Sequence, residues 1–153
     1  MSELNKLTYF IDRGFNEYEP LMDYHSGKVG IDEMYARQLC TYLIANGIQY
    51  ELTSNEMQEN EEMLIVKQIG PNENYGDEAN YRGRGIFIEF RKPNERGRKL
   101  TEIRSANHYD VIRYLLKDIV DIPGYGPMFT TSTEIDEDRG CYVVYVRGMN
   151  EPE

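Results

Sequence analysis

Apolar residues along the chain change their spacing several times, and each spacing predicts a different element. In residues 3–13 they recur every three or four positions, which predicts a short N-terminal helix that ends at Gly14. Residues 15–30 follow neither a helical nor a strand period, and one proline and two glycines interrupt them, so a loop is predicted. A stronger helical pattern starts at Ile31 and continues to the "ANG" that ends at Gly47.

The period then changes to two, which is the spacing of β-strands. "IQYELT" (48–53) alternates apolar and polar residues, and "EMLIVKQI" (62–69) is a more continuously apolar strand. The acidic segment "SNEMQENEE" (54–62) between them predicts an exposed hairpin loop. A third strand, "IFIEF" (86–90), follows a stretch that is rich in glycine and asparagine.

The last third of the chain predicts one helix and two strands. "SANHYDVIRYLLKDIV" (105–120) has a single apolar face, and Asn107 can cap its N-terminus. After "DIPGYGP" come the strands "MFTTSTEI" (128–135) and "CYVVYVRGM" (141–149). The acidic turn "DEDRG" separates these two strands, as in a hairpin.

Taken in order, these elements predict an α+β fold. We expect a mainly antiparallel sheet of about five strands, two helices packed on one of its faces and a short N-terminal helix. Residues 1–30 are predicted to form an N-terminal helix and loop extension, and residues 31–150 a single α+β domain. A helix followed by two strands occurs twice, which hints at a structural repeat without a matching residue repeat.

Length and composition favour a folded, water-soluble chain. It has 153 residues, of which 40% are hydrophobic and 29% charged. Its apolar runs are far shorter than the roughly 20 residues that a membrane-spanning helix needs, and its start lacks the pattern of a secretory signal. Cys40 and Cys141 lack metal-ligand spacing and are predicted to be buried free thiols. These features predict a cytoplasmic location and no membrane contact.

The charged residues are unevenly distributed. The formal net charge is −10, from 27 acidic and 17 basic residues, yet eight of the basic residues lie between Arg82 and Arg104. We interpret seven residues as a basic patch that contacts an identical subunit: Arg82, Arg84, Arg91, Lys92, Arg96, Arg98 and Lys99. Eight carboxylates form acidic segments that would face a lumen or a partner: Glu56, Glu59, Glu61, Glu62, Glu134, Asp136, Glu137 and Asp138.

Motifs for catalysis are sparse. Glu89, with Arg91 two residues later and Asp77 as a loosely placed partner, is the nearest match to the metal-binding residues of a restriction-type nuclease. The alternative is that Glu89 pairs across the strand with a basic neighbour. His25 and His108 have no nucleophile paired with them in sequence, and no phosphate-binding glycine loop is present. We therefore predict no enzyme activity, no metal site and no cofactor.

Three stretches together resemble the small neck proteins of tailed bacteriophages, the tail terminator, minor capsid and tail-completion group. They are "YLIANGI" leading to "MLIVKQIG"; "GIFIEFRKPN" followed by the helix "YDVIRYLLKDIV"; and the closing strand "CYVVYVRGM". The resemblance covers residues 33–149 and lies in the order of elements. It implies a structural protein, a tail terminator whose ring, commonly hexameric, caps the tail tube and joins it to the head connector.

The resemblance also implies partners and a location. The protein would bind copies of itself, tail-tube proteins and head-connector proteins, while DNA passes through the ring without specific binding. It would be present in the host cytoplasm during assembly and then in the neck of the virion. Two alternatives stay open: an acidic cytoplasmic inhibitor or immunity-type protein that masks a basic partner, and a metal-dependent nuclease.

Overall fold

The computed structural model describes residues 4–151, and within this range the chain forms one mixed sheet of ten strands with two short helices. The helices are α1 (Ile31–Gln38) and α2 (His108–Leu115), and a 3₁₀ turn spans Pro93–Glu95. The strands are β1 (Lys6–Gly14), β2 (Glu17–His25), β3 (Tyr42–Ala45), β4 (Ile48–Gln58), β5 (Glu61–Pro71), β6 (Ile86–Lys92), β7 (Arg98–Ser105), β8 (Ile119–Ile122), β9 (Gly126–Asp136) and β10 (Cys141–Gly148).

The ten strands form two copies of one arrangement. The first repeat (residues 6–71) contains β1 to β5 with α1, and the second repeat (residues 86–148) contains β6 to β10 with α2. In each repeat two antiparallel strands precede the helix, three strands follow it, and the first strand pairs in parallel with the last. The strand order is β2-β1-β5-β4-β3 in the first repeat and β7-β6-β10-β9-β8 in the second. The repeat at which the sequence hints is therefore present, and it is longer than a helix and two strands.

One strand edge joins the two repeats into a single sheet. Residues 42–44 of β3 pair in parallel with residues 134–136 of β9, and β8 pairs with the other end of β9. The connecting segment, residues 72–85, leads from β5 to β6. The Tyr81 N–H donates to the Arg139 carbonyl oxygen at 2.8 Å, so the connecting segment is fixed to the turn between β9 and β10.

The two faces of the sheet are covered differently. Side chains of a strand point alternately to opposite faces, and the inner face is the one that packs on the helices, with Met34 of α1 and Val111 of α2 in the main core. The other face, here called the outer face, has a smaller apolar cluster around Tyr81, Cys141 and Val143 in the second repeat. The connecting segment contributes Tyr81 and so closes this part of the outer face.

The predicted fold class is wrong in three respects. Residues 4–151 contain ten strands rather than about five, three of the strand pairings are parallel, and the N-terminal segment is strand β1 rather than a helix. Glu3, the first residue of that predicted helix, lies outside the described residues. Leu7, Tyr9 and Ile11 alternate into the core, which is a period of two. Phe10 is half-buried on the opposite face, and its apolar side chain made the spacing look helical.

The helices are shorter than predicted because each one is soon followed by a short strand of the sheet. The helix expected to reach Gly47 ends at Gln38, and β3 begins four residues later. Leu43, Ile44 and Ala45 are buried one after another, as in a strand that is covered on both faces. Likewise α2 ends at Leu115, and β8 follows.

Two segments for which the sequence pattern predicts no strand are strands in the structure. Residues 17–25 form β2, so residues 6–25 lie in the same sheet as the rest of the chain. Part of the long basic stretch after β6 forms β7. The strands predicted at 48–53, 62–69, 86–90, 128–135 and 141–149 are confirmed. So is the Asn107 cap, whose side chain accepts from the Asp110 N–H at 3.1 Å. Cys40 and Cys141 are confirmed as buried free thiols.

Candidate functional site

A network of charged side chains lies buried on the outer face of the second repeat. Glu89 and Arg91 lie two residues apart on β6, so their side chains point to the same face of the sheet. Both side chains are fully buried. The Arg91 Nε donates to Glu89 at 2.8 Å, while its Nη1 donates to Asp77 of the connecting segment at 2.8 Å. Arg91 thereby links the sheet to the segment that covers it.

A second arginine completes this buried ionic network. Arg139, in the turn between β9 and β10, donates to both oxygens of Glu89 at 2.9 and 3.0 Å, and its Nε donates to Asp136 at 2.8 Å. The Tyr81 hydroxyl lies 2.7 Å from Glu89. The buried ionic network is defined as Asp77, Tyr81, Glu89, Arg91, Asp136 and Arg139.

The contacts of Glu89 make it a structural anion. Burial raises the pKa of a carboxyl group, but hydrogen bonds from Arg139, Arg91 and Tyr81 outweigh burial and lower the pKa of Glu89. Asp77 is likewise held by Arg91 and by the Lys99 N–H at 3.0 Å. Among residues 4–151 no group of three or more potential ligands is placed to hold a metal ion. The geometry does not assemble the site that the nuclease hypothesis requires.

The residues of the basic patch do not share one free surface. Lys92, for example, lies 2.7 Å from Glu95 and also contacts Glu151. Four members of the patch are buried or paired within the chain: Arg91, Lys92, Arg98 and Lys99. Three members are exposed and form no ion pair with another residue of 4–151: Arg82, Arg84 and Arg96. Pairing within the chain thus neutralises most of the patch.

The hairpin glutamates, Glu56, Glu59, Glu61 and Glu62, lie together at the far end of the β4–β5 hairpin. The predicted loop here is mostly strand, because β4 continues to Gln58 and β5 begins at Glu61. None of the four carboxylates forms an ion pair with another described residue. They are exposed or half-buried, and partial burial raises the pKa of Glu62.

Glu134 and Asp136 belong to the interior, where they are 5% and 2% exposed. Burial, with the added charge of Asp136, raises the pKa of Glu134 to about 7. Its nearest hydrogen-bond donor is the Tyr145 hydroxyl at 3.4 Å, which is a weak contact. Burial also raises the pKa of Asp136, although hydrogen bonds from Arg139 oppose that effect. Neither side chain reaches the surface to line a lumen.

The remaining two predicted acidic residues lie in the turn between β9 and β10. Asp138 accepts hydrogen bonds from the backbone N–H groups of Asn46 and Gly47 at 2.7 and 2.8 Å. Asp138 therefore ties this turn to the turn between β3 and β4, across the joint of the two repeats. Glu137 instead lines a pocket beside the helices.

This pocket, here called the helix-end pocket, has a volume of about 190 Å³. It lies where α1, the first turn of α2 and the starts of β6 and β10 meet. Its lining includes Glu33, Arg37, Phe87, His108, Glu137 and Tyr142. Arg37 is 5% exposed and donates to Glu137 at 2.7 Å and, from Nε, to Glu33 at 3.1 Å. Burial lowers the pKa of His108, whose Nε2 lies 3.8 Å from Glu33. The pocket thus sets two carboxylates against one buried guanidinium.

Sequence reasoning missed the residues that organise both sites. Arg37 and Arg139 each lie a few residues after acidic side chains, where an exposed position is the ordinary expectation. The one usable signal was Arg91, since its place on an apolar strand, two residues after Glu89, is costly unless the two side chains pair. The hydrogen-bond partners of these arginines include residues far away in the sequence, and Glu137, which accepts from Arg37, is 100 positions from it.

Comparison with protein-family models, with curated proteins and with solved structures gave no match for this chain. Neither helix within residues 4–151 has the length and apolar composition that crossing a bilayer requires.

Proposed function

We propose that this protein is a non-catalytic acidic binding protein that masks a basic surface of a partner, as an inhibitor or immunity-type protein does. The single observation behind the proposal is the set of hairpin glutamates, four neighbouring carboxylates that form no ion pair with a described residue. No lysine or arginine lies between Arg37 and Lys67 in the sequence, and Lys6, which lies beside Glu61 on β1, forms its ion pair with Asp23 at 3.9 Å instead.

The distribution of charge over the whole chain supports the same surface. Residues 1–71 contain 12 acidic and 5 basic residues, whereas residues 72–153 contain 15 and 12. The negative field is therefore strongest around the first repeat, at whose end the hairpin glutamates lie. Such a field attracts a basic partner from a distance, increases the rate of association and disfavours acidic competitors.

A decalysine peptide is a suitable first probe, with binding measured by fluorescence anisotropy at low and at moderate salt. The test variant replaces Glu56, Glu59, Glu61 and Glu62 together by glutamine. We expect this variant to bind decalysine at least about tenfold more weakly than the wild type at low salt, with a smaller salt dependence.

The matched control removes four exposed carboxylates elsewhere, with Glu17→Gln, Asp110→Asn, Asp118→Asn and Asp121→Asn. Its net charge equals that of the test variant. Equal weakening in both variants would mean that decalysine senses only total charge, and the assignment of the surface to the β4–β5 hairpin would be wrong.

A second candidate, self-assembly into a ring as in the phage-neck hypothesis, is favoured by the two outer edges of the sheet. Edge strand β2 contains three acidic residues and no basic one, and edge strand β7 contains three basic residues and one acidic one. Opposite charges at the two ends suit a head-to-tail contact between identical subunits. Pro20 in the middle of β2 limits hydrogen bonding at that edge and is an argument against it.

Light scattering after size exclusion, at low and moderate salt, tests this second candidate. A closed oligomer that dissociates with salt or on charge reversal of Arg96 and Arg98 would favour the ring. A monomer at every concentration, with decalysine binding that depends on the hairpin glutamates, would favour the acidic binding protein.

A further inference from the structure

The helix-end pocket has a charge and shape that the proposed function does not yet use. Glu33 and Glu137 both contact Arg37, which can balance only one of their two charges. Burial lowers the pKa of His108, so its imidazole is neutral near pH 7 and adds no second cation. The pocket therefore has a net negative charge beside a partly open cavity.

Glu33 has spare hydrogen-bonding capacity toward that cavity. Its Oε2 accepts from Arg37, but its Oε1 accepts no hydrogen bond from a residue of 4–151, and its nearest cationic group is the His108 Nε2 at 3.8 Å. The Glu33 side chain is 20% exposed, and a carboxylate at the mouth of a small cavity is a ready acceptor for a charged N–H donor.

The walls of the pocket suit the flat or slender stem of a cationic side chain. Tyr142 lines the pocket on the helix side of the sheet, where its ring meets the His108 ring edge to face with centroids 5.7 Å apart. Ile86 and Gly85 continue the wall at the start of β6. An aromatic face near a cation adds favourable electrostatic energy, and about 190 Å³ is room for one side chain and not for a folded segment.

We propose that the helix-end pocket receives one arginine or lysine side chain of the basic partner, with Glu33 as the acceptor of its charged N–H groups and Tyr142 and Ile86 as its apolar wall. The inference rests on the proposed function, in which the partner is basic. It assigns to the partner an anchoring cation that is separate from the contacts of the hairpin glutamates.

The probe is N-acetyl-arginine amide, with N-acetyl-citrulline amide as its neutral isostere, titrated into the ¹⁵N-labelled full chain and followed by NMR. The backbone amides of Gly85 and Gly140, which line the pocket, report on occupancy. We expect the arginine compound to shift these signals, with an affinity at least about tenfold above that of the citrulline compound. Equal shifts with both compounds, or shifts confined to the β4–β5 hairpin, would overturn the proposal.

The variant Glu33→Gln should reduce arginine binding at least about tenfold, because it keeps an acceptor for Arg37 and removes the surplus charge. Glu17→Gln, which removes an exposed carboxylate of edge strand β2, is the matched control and should leave arginine binding unchanged. If Glu33→Gln does not fold, the comparison of the arginine and citrulline compounds in the wild type still tests whether the pocket binds a cation. If arginine does not bind the helix-end pocket but decalysine binding still depends on the hairpin glutamates, only this inference is refuted and the proposed function stands.

Discussion

The two repeats have the same strand order, but their outer faces are covered to different extents. In the second repeat the connecting segment covers the outer face and encloses the buried ionic network. In the first repeat the outer face has Phe10 and Ile65 only half-buried and ends in the hairpin glutamates. One arrangement of strands thus yields a closed, internally paired half and an open, acidic half.

The pair Glu56 and Glu134 makes the difference concrete. Both β4 and β9 have 11 residues, and each has glutamate at its ninth position. Glu56 is exposed, whereas Glu134 is buried and its pKa is raised to about 7. The covering segment, and not the position in the strand, decides which glutamate is a surface charge and which is an interior acid.

The largest effect is expected from breaking the buried ionic network. Arg91→Met would leave the buried Glu89 without one of its two arginine partners and the partly exposed Asp77 without its arginine, and we expect a loss of about 3–5 kcal/mol in the free energy of unfolding. Arg13→Met, on the first strand of the first repeat, removes an exposed pair with Glu19 and should cost less than about 1 kcal/mol. Urea denaturation of both variants checks the contrast, and similar losses would contradict it.

The next effect is a pH-dependent one at Glu134. Its folded pKa of about 7 lies above the ordinary 4.5, so folding disfavours its ionisation, and stability decreases as pH rises through this window. Glu134→Gln should therefore be more stable than the wild type by about 3 kcal/mol at pH 8 and by little at pH 4. Thermal or urea unfolding at the two pH values measures this, and a gain in stability for Glu134→Gln that is equal at both pH values would contradict it.

A smaller effect is expected from the helix caps. Asn107 caps α2 with its side chain, whereas Gly30 at the start of α1 makes no side-chain cap hydrogen bond. Asn107→Ala should cost about 1 kcal/mol, and Asn107→Gly only a few tenths of a kcal/mol. Equal losses for these two variants in urea denaturation would contradict the capping role of this position.

The smallest effect on stability is expected at the acidic hairpin. Glu59→Gln should change the free energy of unfolding by less than about 0.5 kcal/mol, because its carboxylate contacts no cation among residues 4–151. The same change should measurably weaken decalysine binding. A large loss of stability would mean that the Glu59 carboxylate stabilises the fold of the first repeat through an electrostatic interaction.

Local patterns predict β4, β5, β6, β9 and β10 because the period of these strands is unambiguous. "IFIEF" and "CYVVYV" have no alternative spacing, and Asn107 marks its helix start. The N-terminal segment and β3 were misassigned, since apolar residues on both sides of a buried strand imitate a helical stripe. The buried ionic network was out of reach for another reason: Glu89 meets Arg139 only after the whole second repeat has folded.

The parallel pairing of first and last strands also has a consequence for synthesis on the ribosome. Lys6 pairs with Glu61, and Ile88 with Tyr142, so neither repeat can close until its last strand has emerged. The first repeat has all of its own strands once Pro71 has left the exit tunnel, and domains fold from the N-terminus as they appear. Until β9 is made, however, the outer edge of β3 has no partner strand, and a nascent chain would need protection there against pairing with its neighbours.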